Sequence, residues 1–342
     1  MIIRMKAFGI REWLPVERED CFVSFDAPMP EPGPQDVLVR VKAVAVNPVD
    51  TKVRKMTSGV LASPRILGWD ASGEIIEVGS AVTGFRPGDA VYYAGDVTRP
   101  GCQAAFQCVD ARLIAPKPQR LSFEEAAAMP LTTITAWEGF ERMHLGAGKT
   151  LLILGGAGGV GSIAIQLAKQ TGVTIIATAS RPETHQWCLD LGADAVIDHR
   201  ADIIDQCREL GFAHVDAIAN FVDTDGYWDL MGELIAPFGE LFLIVEPKTP
   251  LHVGDPLKAK CVSIIWEFMF ARAKFQTPDM AHQGEILRQA AELFDAGVLR
   301  HTMTTHLGTL STSTLREAHG LLESGRCIGK LVMSVDHRDD ED

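Results

Sequence analysis

The sequence predicts an α/β protein in which a β-rich region is followed by a doubly wound parallel sheet. Three observations carry this expectation. Residues 150–161, Thr-Leu-Leu-Ile-Leu-Gly-Gly-Ala-Gly-Gly-Val-Gly, run an apolar strand straight into a cluster of glycines. From about Thr150 onward, short apolar runs alternate with helix-period segments, the pattern of a parallel sheet. Before about residue 130, period-two alternation punctuated by turn residues predominates.

In the first region, residues 36–44 place Val37, Val39 and Val41 on one face and Arg40 and Lys42 on the other. Residues 73–79 and 89–95 read as further short strands bounded by turn residues, and the proline-rich stretch 28–34 as a loop. Ser122 and Glu125 have capping-box spacing at the start of an alanine-rich helix. In the second region, strands are expected at 151–154, 173–179, 195–197, 215–219, 241–245 and 262–265. Pro182 suits the first turn of a helix and Gly192 its end. Beyond Arg272 an amphipathic helix (Ile286, Leu287, Ala290, Leu293, Phe294) leads to mixed pieces ending at residues 330–334, Lys-Leu-Val-Met-Ser. The expected division is 1–133, 134–271 and 272–342.

The glycines carry the first chemistry. Gly156, Gly158 and Gly161 fit G-x-G-x-x-G between a strand and a helix that runs to Gly172. The first glycine permits a tight turn, the second lets backbone N–H groups approach a pyrophosphate, and the third lets helix and strand pack closely. Phosphates then meet the free N–H groups and dipole of a helix N-terminus, so Gly159 and Val160 join the expected cofactor contacts. The alternative is a merely tight turn. An NAD site usually carries a carboxylate about 20 residues further on, for the ribose 2′-hydroxyl. Here Ser180-Arg181 stands instead, with no carboxylate before Glu183. A guanidinium can chelate a 2′-phosphate, so NADP(H) is the expected cofactor. Arg181 is also readable as a solvated residue at a helix start, which leaves the choice open.

Composition bounds the rest. A chain of 342 residues, 46% hydrophobic and 23% charged, is ordinary for a two-domain globular enzyme. A net charge of −13 argues against nucleic-acid binding. Part of that charge lies in residues 336–342, expected to be a solvated acidic tail. No secretory signal is visible at the N-terminus. The long uncharged stretch 151–168 is broken by glycines, so no membrane span is expected. Seven scattered cysteines without C-x-x-C read as reduced thiols in the cytoplasm.

Five segments together resemble one family: 44–52 (Val-Ala-Val-Asn-Pro-Val-Asp-Thr-Lys), 67–74 (Leu-Gly-Trp-Asp-Ala-Ser-Gly-Glu), 131–137 (Leu-Thr-Thr-Ile-Thr-Ala-Trp), 155–161 and 176–182. The chain resembles a medium-chain dehydrogenase/reductase of the quinone-oxidoreductase side, and most nearly the bacterial zinc-type alcohol dehydrogenase-like proteins. The resemblance implies a GroES-like β-rich catalytic domain, completed by the C-terminal segment, with a Rossmann domain inserted between. It also implies a homodimer or homotetramer acting on a small molecule.

Zinc-using relatives supply a Cys, a Gly-His-Glu and a second Cys in the first three segments. This chain has Asn47 with Asp50, then Trp69-Asp70, then Leu131-Thr-Thr133. Catalytic zinc requires three N, S or carboxylate ligands and an open position, so no metal site is expected. Without that Lewis acid, alcohol oxidation is hard to support, whereas hydride transfer to a quinone or α,β-unsaturated carbonyl remains feasible. Asn47 and Lys52 are the candidate donors to a developing oxyanion, with Asp50 orienting Lys52. Asn47 also reads as a turn residue, Lys52 as a solvated lysine, and Asp50 as a cap. Trp69 and Tyr93 are pocket or core candidates, and Tyr92 shares the second reading. The resemblance places Thr135 at the nicotinamide end and His199 near the adenosine phosphate, the latter equally readable as a surface histidine. Asn220 and Val245 end strands four and five, where parallel sheets bind ligands. Trp266-Glu-Phe-Met-Phe270 reads as core or dimer interface, with Phe268 or Phe270 as a possible substrate border. The function expected is an NADPH-dependent, zinc-independent reductase. Its alternatives are an alcohol or carbonyl dehydrogenase and a non-catalytic NADPH-binding regulatory protein.

Overall fold

A computed structural model describes residues 3–337. The chain divides into two compact units, Met1–Ile134 with Phe270–Asp342, and Thr135–Met269. Most of the expected acidic tail, residues 338–342, lies outside the described residues.

Among the described residues, the first unit holds two sheets. The smaller has the order Val23–Pro28, Arg4–Ile10, Arg65–Ile66. The larger is built around strand Asp36–Ala45, which pairs antiparallel with Asp70–Val78 along its length and with Phe106–Asp110 at its start. Val37, Val39 and Val41 of this strand are fully buried, as their alternation requires. Leu38 is buried as well, because the opposite face packs against Met5, Ala7 and Phe106. At its far end the strand meets Lys330–Ser334, with Val332 opposite Ala45 and Ala45 opposite Asp70. Continuing that antiparallel register two residues brings Lys330 level with Asn47. Sequence ends 283 residues apart thus converge on one spot. The Ser122–Glu125 capping box forms reciprocally, at 3.1 and 2.9 Å.

The second unit is a six-stranded parallel sheet. Its order is Ala195–Ile197, Thr174–Thr178, Thr150–Leu154, Val215–Asn220, Ile235–Leu243, Ser263–Trp266, the 3-2-1-4-5-6 order of a Rossmann sheet. Every residue of Thr150–Leu154 is buried, because a central parallel strand is covered on both faces. Gly172 and Gly192 take left-handed conformations (φ 77° and 110°) just past the first two helices, where a side chain would be strained. The fifth strand differs from expectation. It begins at Ile235 rather than 241, pairs once with Val215, and resumes at Glu240 opposite Ala217. Pro237-Phe238-Gly239 sits in the intervening bulge, with Phe238 at φ 61°. Apolar periodicity does not register a strand interrupted in this way.

Lys260 closes helix Thr224–Leu234. Its ammonium donates to the carbonyls of Gly232, Glu233 and Ile235 at 2.9, 2.7 and 2.8 Å, satisfying acceptors that a helix end leaves open. Lys260→Met is expected to lower unfolding free energy by about 1–2 kcal/mol, read as a shifted urea transition. An unchanged transition would refute the cap.

Among the described residues, no helix is long and apolar enough to cross a membrane.

Candidate active site

In the parallel-sheet unit the glycine turn fits a dinucleotide. Helix Gly159–Lys169 starts directly after it, with Gly158 as its N-cap. The N–H groups of Gly159, Val160 and Gly161 have no hydrogen-bond partner among the described residues. Gly161 is forced to be glycine by packing: a Cβ there would lie 2.2 Å from the Gly155 carbonyl oxygen. Gly156 packs onto the second strand, where a Cβ would meet Ala177 at 2.8 Å. A Cβ on Gly158 would come no closer than 3.4 Å to any other protein atom, so its face of the turn is open. An open glycine beside unsatisfied helix N–H groups is the cradle a pyrophosphate needs. The residues present therefore fit the cofactor.

At the tail of the second strand, Thr178 accepts the Gly155 N–H through its hydroxyl at 3.0 Å and the Gly156 N–H through its carbonyl at 3.2 Å. Ser180 and Arg181 follow, both partly exposed. Arg181 pairs with Glu183 at 3.3 Å. A second guanidinium, overlooked in the sequence reading, joins them: Arg200 donates to the Ser180 carbonyl at 2.5 Å and pairs with Asp198 at 2.8 Å. That pair holds the partly exposed Asp198 carboxyl down at about 2. The only local signal for Arg200 was its place just past the third strand, beside His199, which is exposed.

The other expected contacts have mixed surroundings. Thr135, on helix Pro130–Glu141, is buried. Asn220 is fully buried, and its amide is engaged in its own turn: Nδ2 donates to the Asp223 carbonyl at 2.8 Å while Oδ1 accepts the Val222 N–H at 3.0 Å. It shapes the loop after the fourth strand. Val245 accepts the Thr224 hydroxyl at 2.5 Å through its carbonyl.

In the β-rich unit, the register described above builds a buried polar cluster. Lys330 (3% exposed) directs its ammonium at the Asp70 carboxylate at 2.8 Å, at the Val46 carbonyl at 3.1 Å, and at the Asn47 amide oxygen. Asn47 Nδ2 donates to the same Asp70 oxygen at 2.9 Å, and the other Asp70 oxygen accepts the Leu131 N–H at 2.8 Å. Burial pushes the Asp70 carboxyl up, against the pull of Lys330 and Asn47. Asp50, fully buried, accepts the Asn47 backbone N–H at 2.9 Å on Oδ2; its Oδ1 has no partner among the described residues. Burial outweighs that hydrogen bond and raises the Asp50 carboxyl to about 7. Cys102 adds a buried thiol that donates to the Asp70 carbonyl at 3.4 Å.

The expected pairing of Asp50 with Lys52 does not form. Lys52 is exposed on helix Pro48–Met56, and no hydrogen bond or ion pair joins it to Asp50. The reason is local: Asp50 is the third residue of that helix and turns back to cap Asn47, while Lys52 faces away. The lysine of the cluster is Lys330. Trp69 is core: its indole donates to the Asp96 carbonyl at 3.0 Å and its ring meets Phe270 edge-on at 6.2 Å. Tyr92 donates to the Leu287 carbonyl at 2.5 Å, whereas the buried Tyr93 hydroxyl has no partner among the described residues. Trp266 and Phe268 are exposed, and Phe270 is buried.

These residues do not fit a catalytic zinc. The better placed carboxylate, Asp70, already faces an ammonium at 2.8 Å, and Asn47 offers that ammonium its only good ligand atom. Among the described residues, no group of three or more His, Cys, Asp or Glu could hold a metal ion.

Residues 33–119 match the alcohol dehydrogenase GroES-like domain, and residues 191–333 match the zinc-binding dehydrogenase domain. A zinc-type alcohol dehydrogenase-like protein of Staphylococcus aureus strain MSSA476 is 41% identical over 338 residues, 97% of this chain and 100% of the relative. The chain belongs to the medium-chain dehydrogenase/reductase family. It is therefore an oxidoreductase, of mixed α/β fold with a GroES-like and a Rossmann part. An NADPH-dependent alkenal/one oxidoreductase of Arabidopsis thaliana is 30% identical over 318 residues, 89% of this chain and 73% of that protein. The solved quinone oxidoreductase of Coxiella burnetii superposes with a TM-score of 0.80 at 29% identity, covering 98% of this chain and 100% of the other. Family membership leaves the metal to be argued from the residues, and here the cluster is organised around Lys330.

Proposed function

We propose that this oxidoreductase is NADPH-dependent and zinc-independent, and reduces quinones or α,β-unsaturated carbonyls. The observation that carries the reading is the polar cluster itself, where an ammonium is bonded to Asn47 and Asp70, in the two segments from which metal-using relatives supply a Cys and a Gly-His-Glu. The names of the Arabidopsis and Coxiella relatives point the same way.

NADPH bound at the glycine turn would supply a hydride, a proton with two electrons, to an electrophilic carbon of the acceptor. What the protein must then provide is a donor to the acceptor oxygen, which gathers negative charge, and one further proton to complete the two-electron reduction. Asn47 has a second Nδ2–H with no partner among the described residues, and it is the donor. Asp50 holds the proton at Oδ1, because Oδ2 is already committed to the Asn47 N–H. A carboxyl raised to about 7 can release that proton at neutral pH and recover it from water.

Arg181 and Arg200 select the 2′-phosphate, exchanging Glu183 and Asp198 for it. Thermal stabilisation by NADPH should exceed that by NADH, since a ligand binding only the folded state raises its stability. Losing two charge-assisted contacts in R181A/R200A is expected to raise the KM for NADPH by about 10- to 100-fold, with the KM for NADH little changed. Equal stabilisation by the two coenzymes would remove the basis for NADPH. Purified protein carrying one zinc per chain, or failing to turn over any quinone, enone or alkenal, would overturn the reading as a whole.

A further inference from the structure

The bonds around Asn47 dictate which way its carboxamide faces. An ammonium can only donate, so the amide oxygen must face Lys330 Nζ; an ionised carboxylate can only accept, so Nδ2 must face Asp70. Both neighbours are held in turn. Asp70 is fixed by the Leu131 N–H, and Lys330 is fixed by the Val46 carbonyl and by its place in the strand that pairs with Asp36–Ala45. All three ammonium protons are engaged, by Asn47, Asp70 and Val46, so Lys330 has none left for a substrate. Asn47 does: one Nδ2 hydrogen goes to Asp70 and the other is uncommitted.

We propose that Lys330 is a positioning residue, clamping the Asn47 carboxamide in one orientation so that its remaining N–H serves the acceptor oxygen. This rests on Asn47 being the oxyanion donor. The charged hydrogen bond at the amide oxygen also draws electron density from the nitrogen, strengthening the N–H as a donor. Preorganisation is where such a donor gains its effect, because the dipole does not have to turn as charge develops. Without the ammonium, the amide keeps its bond to Asp70 but loses the one at its oxygen, so the remaining N–H is free to swing off the acceptor and is a weaker donor.

The test is a double-mutant cycle on the full chain with N47A, K330M and N47A/K330M. One readout is kcat for 2-cyclohexenone and 1,4-benzoquinone at saturating NADPH. The other, independent of turnover, is the affinity of the NADP-bound protein for 4-nitrophenolate, an oxyanion followed by its absorbance. Loss of one oxyanion donor lowers kcat by about 100- to 1,000-fold, so N47A is expected in that range and K330M at or somewhat above its rate. The double variant is expected to match N47A, with the KM for NADPH unchanged throughout, and nitrophenolate affinity should follow the same order. Losses that multiply in the double variant overturn the positioning role. So does K330M binding nitrophenolate as tightly as the parent while N47A does not. If N47A leaves both readouts unchanged, or if the parent reduces neither acceptor, the donor reading falls first and this inference with it. Should K330M not fold, the cycle is run in the D70N background with K330M/D70N, N47A/D70N and N47A/K330M/D70N, and losses that multiply in the triple variant overturn the positioning role as before.

Discussion

Lys330→Met is expected to lower unfolding free energy by about 3–5 kcal/mol, the range for removing one partner of a buried ion pair. The size follows from the surroundings. Lys330 is 3% exposed and Asp70 is fully buried, so the stranded carboxylate has no water to turn to. Two N–H groups, from Asn47 and Leu131, remain to it; they stabilise the charge without neutralising it. The loss should depend on pH. With the ammonium gone, the Asp70 carboxyl rises further and takes up a proton on acidification, so the deficit of K330M against the parent shrinks as pH falls toward 5. Removing both charges in K330M/D70N should recover most of the stability, since the penalty comes from the unpaired charge more than from the lost bond. Urea unfolding at pH 5 and 8 reads all three proteins. A loss below about 1 kcal/mol for K330M, or no recovery in the double variant, would mean that the pair is solvated.

The two parts of the molecule were legible in the sequence to different degrees, for a physical reason. The Rossmann unit is built of local signals. Thr150–Leu154, the glycine turn and helix Gly159–Lys169 are contiguous, and each glycine answers to a neighbour within a few residues or on the adjacent strand. Period and turn chemistry therefore located all six strands, but missed the bulged start of Ile235–Leu243 and carried its end two residues too far, to Val245. The β-rich unit depends on pairing across the whole chain. Nothing near Lys330 reports that its strand lies beside Ala45, or that Asp70 stands across the same residue. Lys52 was visible as a lysine close to Asn47 in sequence; Lys330 is the lysine close to it in space. Arg200 escaped for a similar reason, since its contact with Ser180 joins the ends of two neighbouring parallel strands.

Asp50 leads to the second large effect, and its sign runs opposite to that of an ordinary salt-bridged carboxylate. The folded protein keeps the Asp50 proton up to a pH of about 7, whereas an unfolded aspartate gives it up near 3.8. Between those values the folded state binds more protons, so raising the pH favours the unfolded chain, and the contribution levels off above 7. Asp50→Asn removes the titration while leaving an oxygen to accept the Asn47 N–H. Relative to the parent, D50N should therefore gain stability by about 2–3 kcal/mol on going from pH 5 to pH 8, at roughly 1.4 kcal/mol per unit up to pH 7. Whatever fixed amount the buried amide adds or removes cancels in that difference. The same variant tests the proton's use. If Asp50 supplies it, parental kcat should fall above pH 7, and D50N should lose about 100-fold or more at its optimum and lack that descending limb. A stability gap between parent and D50N that stays constant with pH would show that Asp50 is ionised in the folded state. It would then be a helix cap, and the proton would have to come from elsewhere.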